Sequence, residues 1–144
     1  MVVGLSQLLL ISVLLVTSLL GANAHACEIV VHPSVKDTEL SQQKLRLIFS
    51  RRLIHWSDGQ PIKVFTFPVD SEAHHTFSKD KLGFLPFHLQ RNWSRLVYSG
   101  RGRAPVHLES YEEMLRAISI TEGAIGYMPH GVDIGKNSGV LILE

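Results

Sequence analysis

The chain has 144 residues, which is room for one domain. Its 14 basic and 13 acidic residues leave a formal charge of +1, so composition implies no nucleic-acid or other polyanionic partner. A single cysteine excludes an internal disulfide.

The N-terminal stretch, residues 1–24, contains no Asp, Glu, Lys or Arg, and residues 8–20 are almost wholly Leu, Ile, Val, Ser and Thr. It ends in Ala22-Asn23-Ala24 and Ala24-His25-Ala26, both of the A-x-A cleavage type. Residues 1–24 are therefore expected to be a secretory signal peptide, cleaved after residue 24 or 26, with one domain over 27–144. The usual positive charges ahead of the apolar run are missing. A retained membrane anchor is the alternative, and the short apolar run argues against it. Cys27 raises a lipoprotein, but Ala24 stands where that signal wants Leu. No later segment is long and apolar enough to span a bilayer, so the mature protein is expected in the periplasm.

The mature chain opens on a β-branched strand at 28–32, stopped by Pro33. Thr38 is a candidate cap for a helix over 39–51, with Leu40, Leu45, Ile48 and Phe49 on one face and Leu47 off it. Trp56-Ser57-Asp58-Gly59 forms a loop around a D-G turn. A second strand is expected within 61–68, carrying Ile62, Val64, Phe65 and Phe67. Asp70 or Ser71 caps a helix running to Lys81, which Gly83 breaks. Another helix starts at Pro86 or Phe87, with Leu89, Trp93, Leu96, Val97 and Tyr98 as its apolar side. Residues 99–105 form a basic, glycine-rich loop.

The next stretch organises the rest. Ser110 with Glu113 has the capping-box spacing, and Glu112 and Glu113 suit the positive end of the helix dipole. Met114, Leu115 and Ile118 make one stripe, and Gly123 supplies a left-handed stop. The buried strand 124–128 follows, with Gly126 allowing close approach of another backbone. A last strand is expected at 139–143. Strands alternating with helices imply an α/β domain, a layered sheet with flanking helices.

The segment TEGAIGYMP resembles the T-x-G-A-I-G-Y segment of the phosphate-binding proteins of bacterial ABC transporters and of their short exported relatives. Two further stretches resemble the same family. Residues 31–59 place Pro33, Leu40, Leu45, Ile48, Phe49, Trp56, Asp58 and Gly59 in its register, with Ser50 in place of a glycine. Residues 92–103 match through Trp93, Tyr98, Gly100 and Gly102. The resemblance implies one lobe of a type II periplasmic binding protein. In full-length members phosphate is held by helix N-termini and by an R-x-D-x-S-G-T segment. Carried over residue by residue, that segment puts Phe67 at the arginine, Ser71 at the serine, Glu72 at the glycine and Ala73 at the threonine. Only the serine survives, and the family's N-terminal lobe has no counterpart here.

Other constellations are weaker. His74 and His75 are adjacent and would point about 100° apart on a helix, so they cannot readily share a metal ion. His25-Ala26-Cys27 could chelate a soft metal if cleavage exposed it, but no metal site is expected. Arg101 and Arg103 form a cationic loop that could grip an anion bidentately or simply be solvated. Arg51 and Arg52 sit where helix-dipole compensation accounts for them, Asp58 reads as a turn residue and Trp93 as core. No nucleophile-base pair is visible, so no enzyme and no cofactor is expected.

The expected function is that of an exported solute-binding-like protein taking phosphate or another oxyanion weakly, through Ser71, Arg101 and Arg103. Its partner would be an ABC transporter permease or another envelope protein. The alternative is an exported interaction or sensory module that keeps the lobe without the ligand.

Overall fold

A computed structural model describes residues 27–136 and 138–143; the expected signal peptide, and His25 and Ala26 with it, lie outside the described residues. Five strands form one mixed sheet: β1 (Cys27–Val31), β2 (Lys63–Thr66), β3 (Val106–His107), β4 (Ala124–Pro129) and β5 (Leu141–Leu143). Their order is β3-β2-β4-β1-β5. β2 runs parallel to β3 and β4, whereas β1 is antiparallel to β4 and β5. The helices are α1 (Gln42–Phe49), α2 (Glu72–Thr76) with its π-helical continuation (Phe77–Leu82), α3 (Pro86–Tyr98) and α4 (Tyr111–Ile120).

The expected strand at 124–128 is the middle of the sheet, and its first five residues are buried. Successive side chains of a strand point to opposite faces, and β4 uses both. On one face, a Cβ on Gly126 would meet Met114 Sδ at 2.6 Å and Ile118 Cδ1 at 2.8 Å. The glycine thus chiefly admits helix side chains from α4; the backbone expected from the sequence is also close, the Phe65 carbonyl oxygen lying 3.5 Å from such a Cβ, an ordinary contact. On the other face Tyr127 stacks on Phe77 with ring centroids 3.8 Å apart, and Phe49 meets both rings edge-on. The result is a sheet with α4 on one side and α1 and the α2 continuation on the other.

Gly123 ties the sheet to the preceding loop. Its φ is +75°, and a Cβ there would lie 2.3 Å from the Pro61 carbonyl oxygen, so only glycine fits. Its carbonyl accepts from Trp56 Nε1 at 3.0 Å and from the Lys63 N–H at 3.1 Å. Its own N–H donates to Ser34 Oγ at 3.0 Å. Trp93 Nε1 likewise donates to the Phe49 carbonyl at 2.7 Å. Trp56, Trp93 and Gly123, which carry much of the sequence resemblance, therefore hold the elements together.

Several boundaries differ from expectation. α1 is capped by Ser41, whose Oγ accepts from the Lys44 N–H, so Thr38 and Leu40 precede the helix. Asp37 holds that preceding segment extended by accepting from Lys44 Nζ at 2.5 Å and from Ser57 Oγ. Arg51 is not a solvated dipole partner. It adopts a left-handed φ of 62°, and its Nη1 donates to the Ile62 carbonyl while burial lowers its pKa.

On α3 only Leu89 and Trp93 are buried. Val97 and Tyr98 are exposed, Tyr98 by 91%, because the helix touches the core around its middle turns and its last turn lies beyond them. The last strand is shorter than expected, and as an edge strand it leaves Leu141 and Ile142 exposed. Phe65 is half-buried, and the two-residue strand β3 carries no signal in the sequence pattern. Among the described residues no helix is long and apolar enough to cross a membrane.

Candidate functional site

Beyond the C-terminal ends of the parallel strands β2 and β3, the chain enters two helices in succession. Ser71 caps α2: its Oγ accepts from the His74 N–H at 3.2 Å and donates to the Pro68 carbonyl at 2.6 Å. Ser110 caps α4, accepting from the Glu113 N–H at 3.2 Å. Glu113 reaches back to the Glu109 N–H, one residue before the cap and not the cap itself. Parallel pairing of β2 with β3 puts both helix starts on one cleft of about 730 Å³. Crevices outside the carboxyl ends of strands are where open α/β sheets commonly take ligands.

Phe67, Ser71, Ser110 and Tyr111 all line the cleft. So do the carboxylates of Asp70, Glu72, Glu109 and Glu112, and no lysine or arginine does. Two partly positive helix ends therefore face four fixed negative charges. Phe67, standing where the family resemblance puts an arginine, is buried and packs edge-to-face on Tyr111 and Tyr127 at 5.5 and 5.4 Å.

Of the residues expected to bind ligand, Ser71 lines this cleft with its hydroxyl already engaged in capping. Arg101 and Arg103 are exposed in the loop after α3 and are not among the lining residues. Asp70, Glu109 and Glu112 were missed as site residues. Glu112 and Ser110 are helix-start signals in the sequence, but nothing local shows that α4 begins beside α2.

Behind the cleft lies a buried polar chain. The Phe67 N–H donates to Tyr127 Oη at 3.1 Å, and the same hydroxyl is hydrogen-bonded to His74 Nδ1 at 2.8 Å. The other ring nitrogen, Nε2, faces Ser78 Oγ at 3.3 Å. His74 is neutral: burial, then the neighbouring His107 and His75, lower its pKa from 6.5 to about 4. Burial also drives the Tyr127 pKa far up, and the phenol stays protonated. Cys27 is buried, with its pKa pushed up to about 11 mainly by that burial, so its thiolate is scarce at neutral pH.

The fold is an α/β arrangement similar to about half of several phosphate-binding proteins of ABC transporters. PstS from Borrelia burgdorferi superposes with a TM-score of 0.59 at 16% identity, over 83% of this chain and 47% of that one. An ABC-type phosphate transport receptor from Vibrio cholerae gives 0.55 at 16%, over 83% and 46%. A Clostridium perfringens protein crystallised with bound phosphate gives 0.62 at 14%, over 83% and 44%. The chain thus spans a little under half the length of these proteins. Identity this low establishes a shared fold. No protein-family model matches the sequence, and no curated protein matches it.

Proposed function

We propose that this chain is an exported, non-enzymatic, solute-binding-like module that meets phosphate or a similar small oxyanion weakly at the Ser71–Ser110 cleft. The observation that carries this is the convergence of two serine-capped helix starts on one cleft, in a fold shared with proteins that bind phosphate. Orphan N–H groups and the helix dipoles favour an anion there. The lining carboxylates oppose it. Like charges about 4 Å apart repel by about 4 kcal/mol at an effective dielectric of about 20, worth about three decades of affinity. Binding is accordingly millimolar, not micromolar.

Arg101 and Arg103 do not line the cleft, so their expected influence on an anion there is through their field, which is screened over about 8 Å in physiological salt. Titration calorimetry with inorganic phosphate tests the proposal. Glu72→Gly should tighten binding about tenfold or more, whereas Arg101→Ala should weaken it by no more than about threefold. Micromolar binding that ignores Glu72→Gly would place the site elsewhere.

The exposed Phe87, Val97 and Tyr98 on α3 favour a second reading, an exported interaction module for an ABC transporter permease or another envelope protein. That reading would stand if neither wild type nor Glu72→Gly bound phosphate.

A further inference from the structure

A second cavity, of about 380 Å³, opens between α1 and α3, and its charge is the reverse of the first. Arg46, Arg52 and His88 line it, and no carboxylate does. Leu47, Phe84 and Leu89 give it an apolar floor. Its size falls at the small end of ligand pockets, about 300–1,000 Å³.

Arg46 is held in place here. Its Nε donates to the Leu82 carbonyl at 2.5 Å, and its guanidinium carbon stands 5.1 Å from the centre of the Phe84 ring. Gly83 makes the room: a Cβ there would come within 2.7 Å of an Arg46 terminal nitrogen, and its φ of +65° already favours glycine. The backbone contact occupies Nε and leaves the terminal nitrogens as donors. Neither Arg46 nor Arg52 is neutralised, because the ion pairs among the described residues join Lys36 to Asp58, Lys44 to Asp37 and His130 to Glu28. A guanidinium fixed before a ligand arrives loses little rotamer entropy on binding. It matches a carboxylate in bidentate geometry.

We infer that this cavity binds a small organic carboxylate with a flat or branched apolar body. Arg46 and Arg52 hold the carboxylate, and the body rests on Phe84 and Leu89. A bare inorganic anion would leave that apolar floor uncovered, and a neutral apolar molecule would offer no carboxylate to the terminal nitrogens of the two guanidinium groups. The site shares no lining residue with the Ser71–Ser110 cleft and does not depend on phosphate binding there.

Benzoate is a suitable probe, with benzyl alcohol as its neutral counterpart and inorganic phosphate as the bare anion. Calorimetric titration of the mature chain should give benzoate a Kd near about 1 mM or tighter, with benzyl alcohol at least about tenfold weaker. Arg52→Gln touches only an exposed side chain and should weaken benzoate about fivefold without moving the melting temperature. Arg46→Lys keeps the charge but loses the two-pronged grip, and should weaken it about tenfold. Ser71→Ala and Glu72→Gly should leave benzoate binding unchanged, which separates this site from the cleft. Benzoate binding that neither arginine variant alters would overturn the assignment. So would benzyl alcohol or phosphate binding as tightly as benzoate, or no benzoate binding at all.

Discussion

Acidification should weaken this fold through His74. The imidazole is fully buried, is hydrogen-bonded to Tyr127 at 2.8 Å, and has its pKa lowered by burial from 6.5 to about 4. A base whose folded pKa is depressed binds its proton more readily when unfolded. Its stabilising contribution is therefore complete above pH 6.5 and is lost as pH falls toward 4. A shift from 6.5 to about 4 corresponds to about 3 kcal/mol. That is a large share of the total stability of about 5–15 kcal/mol usual for a domain. Urea unfolding at a series of pH values between 7.5 and 4.5 would follow the loss through the midpoint and the extrapolated free energy. His74→Gln removes the titrating group. It should be less stable at pH 7 because it disturbs the Tyr127 contact, but its acid slope should flatten by most of the wild-type loss. An acid slope identical in both proteins would show that His74 does not drive the loss. The Asp37 carboxylate separates from this effect. Burial would raise its pKa, but hydrogen bonds from Lys44 and Ser57 outweigh that and lower it, so its contribution is lost only at more acid pH.

Gly123→Ala should cost about 2–4 kcal/mol, since it combines a left-handed backbone with a Cβ driven into the Pro61 carbonyl; an unchanged melting temperature would mean that the loop yields freely. Ile125→Ala, in the middle of the sheet, should cost about 2–5 kcal/mol. Tyr98→Ser on the exposed end of α3 should stay within about 0.5 kcal/mol of wild type in the same thermal melts. If residues 1–24 are a cleaved leader, N-terminal sequencing of protein from an envelope fraction should start at His25 or Cys27. Material beginning at Met1 in the cytosol would refute export.

Local signals were enough to place most of the elements. Ser71 and Ser110 are caps wherever their helices lie, because the N–H groups three residues on need an acceptor and a serine supplies one at short range. The apolar 124–128 run, between Gly123 and Pro129, could hardly be anything but a buried strand. Where local rules competed, the sequence misled: Thr38 and Ser41 are both competent caps, and only the tie of Asp37 to Lys44 and Ser57 selects the second. Tyr98 looked like core because helical periodicity records which side chains share a face, not where along its length a helix meets the sheet.

The site divides in the same way. That Glu72 stands beside Ser71 is covalent neighbourhood, and the sequence by itself determined it. That Glu109 and Glu112 face the same cleft, some forty residues further on, was decided by the parallel pairing of β2 with β3. The same holds for the cationic cavity. Arg46, Gly83 and His88 lie on separate segments with no shared motif, and they meet because α1 and α3 pack around Phe49 and Trp93. Charge and capping are local properties of a chain, whereas which charges share a cavity depends on long-range packing.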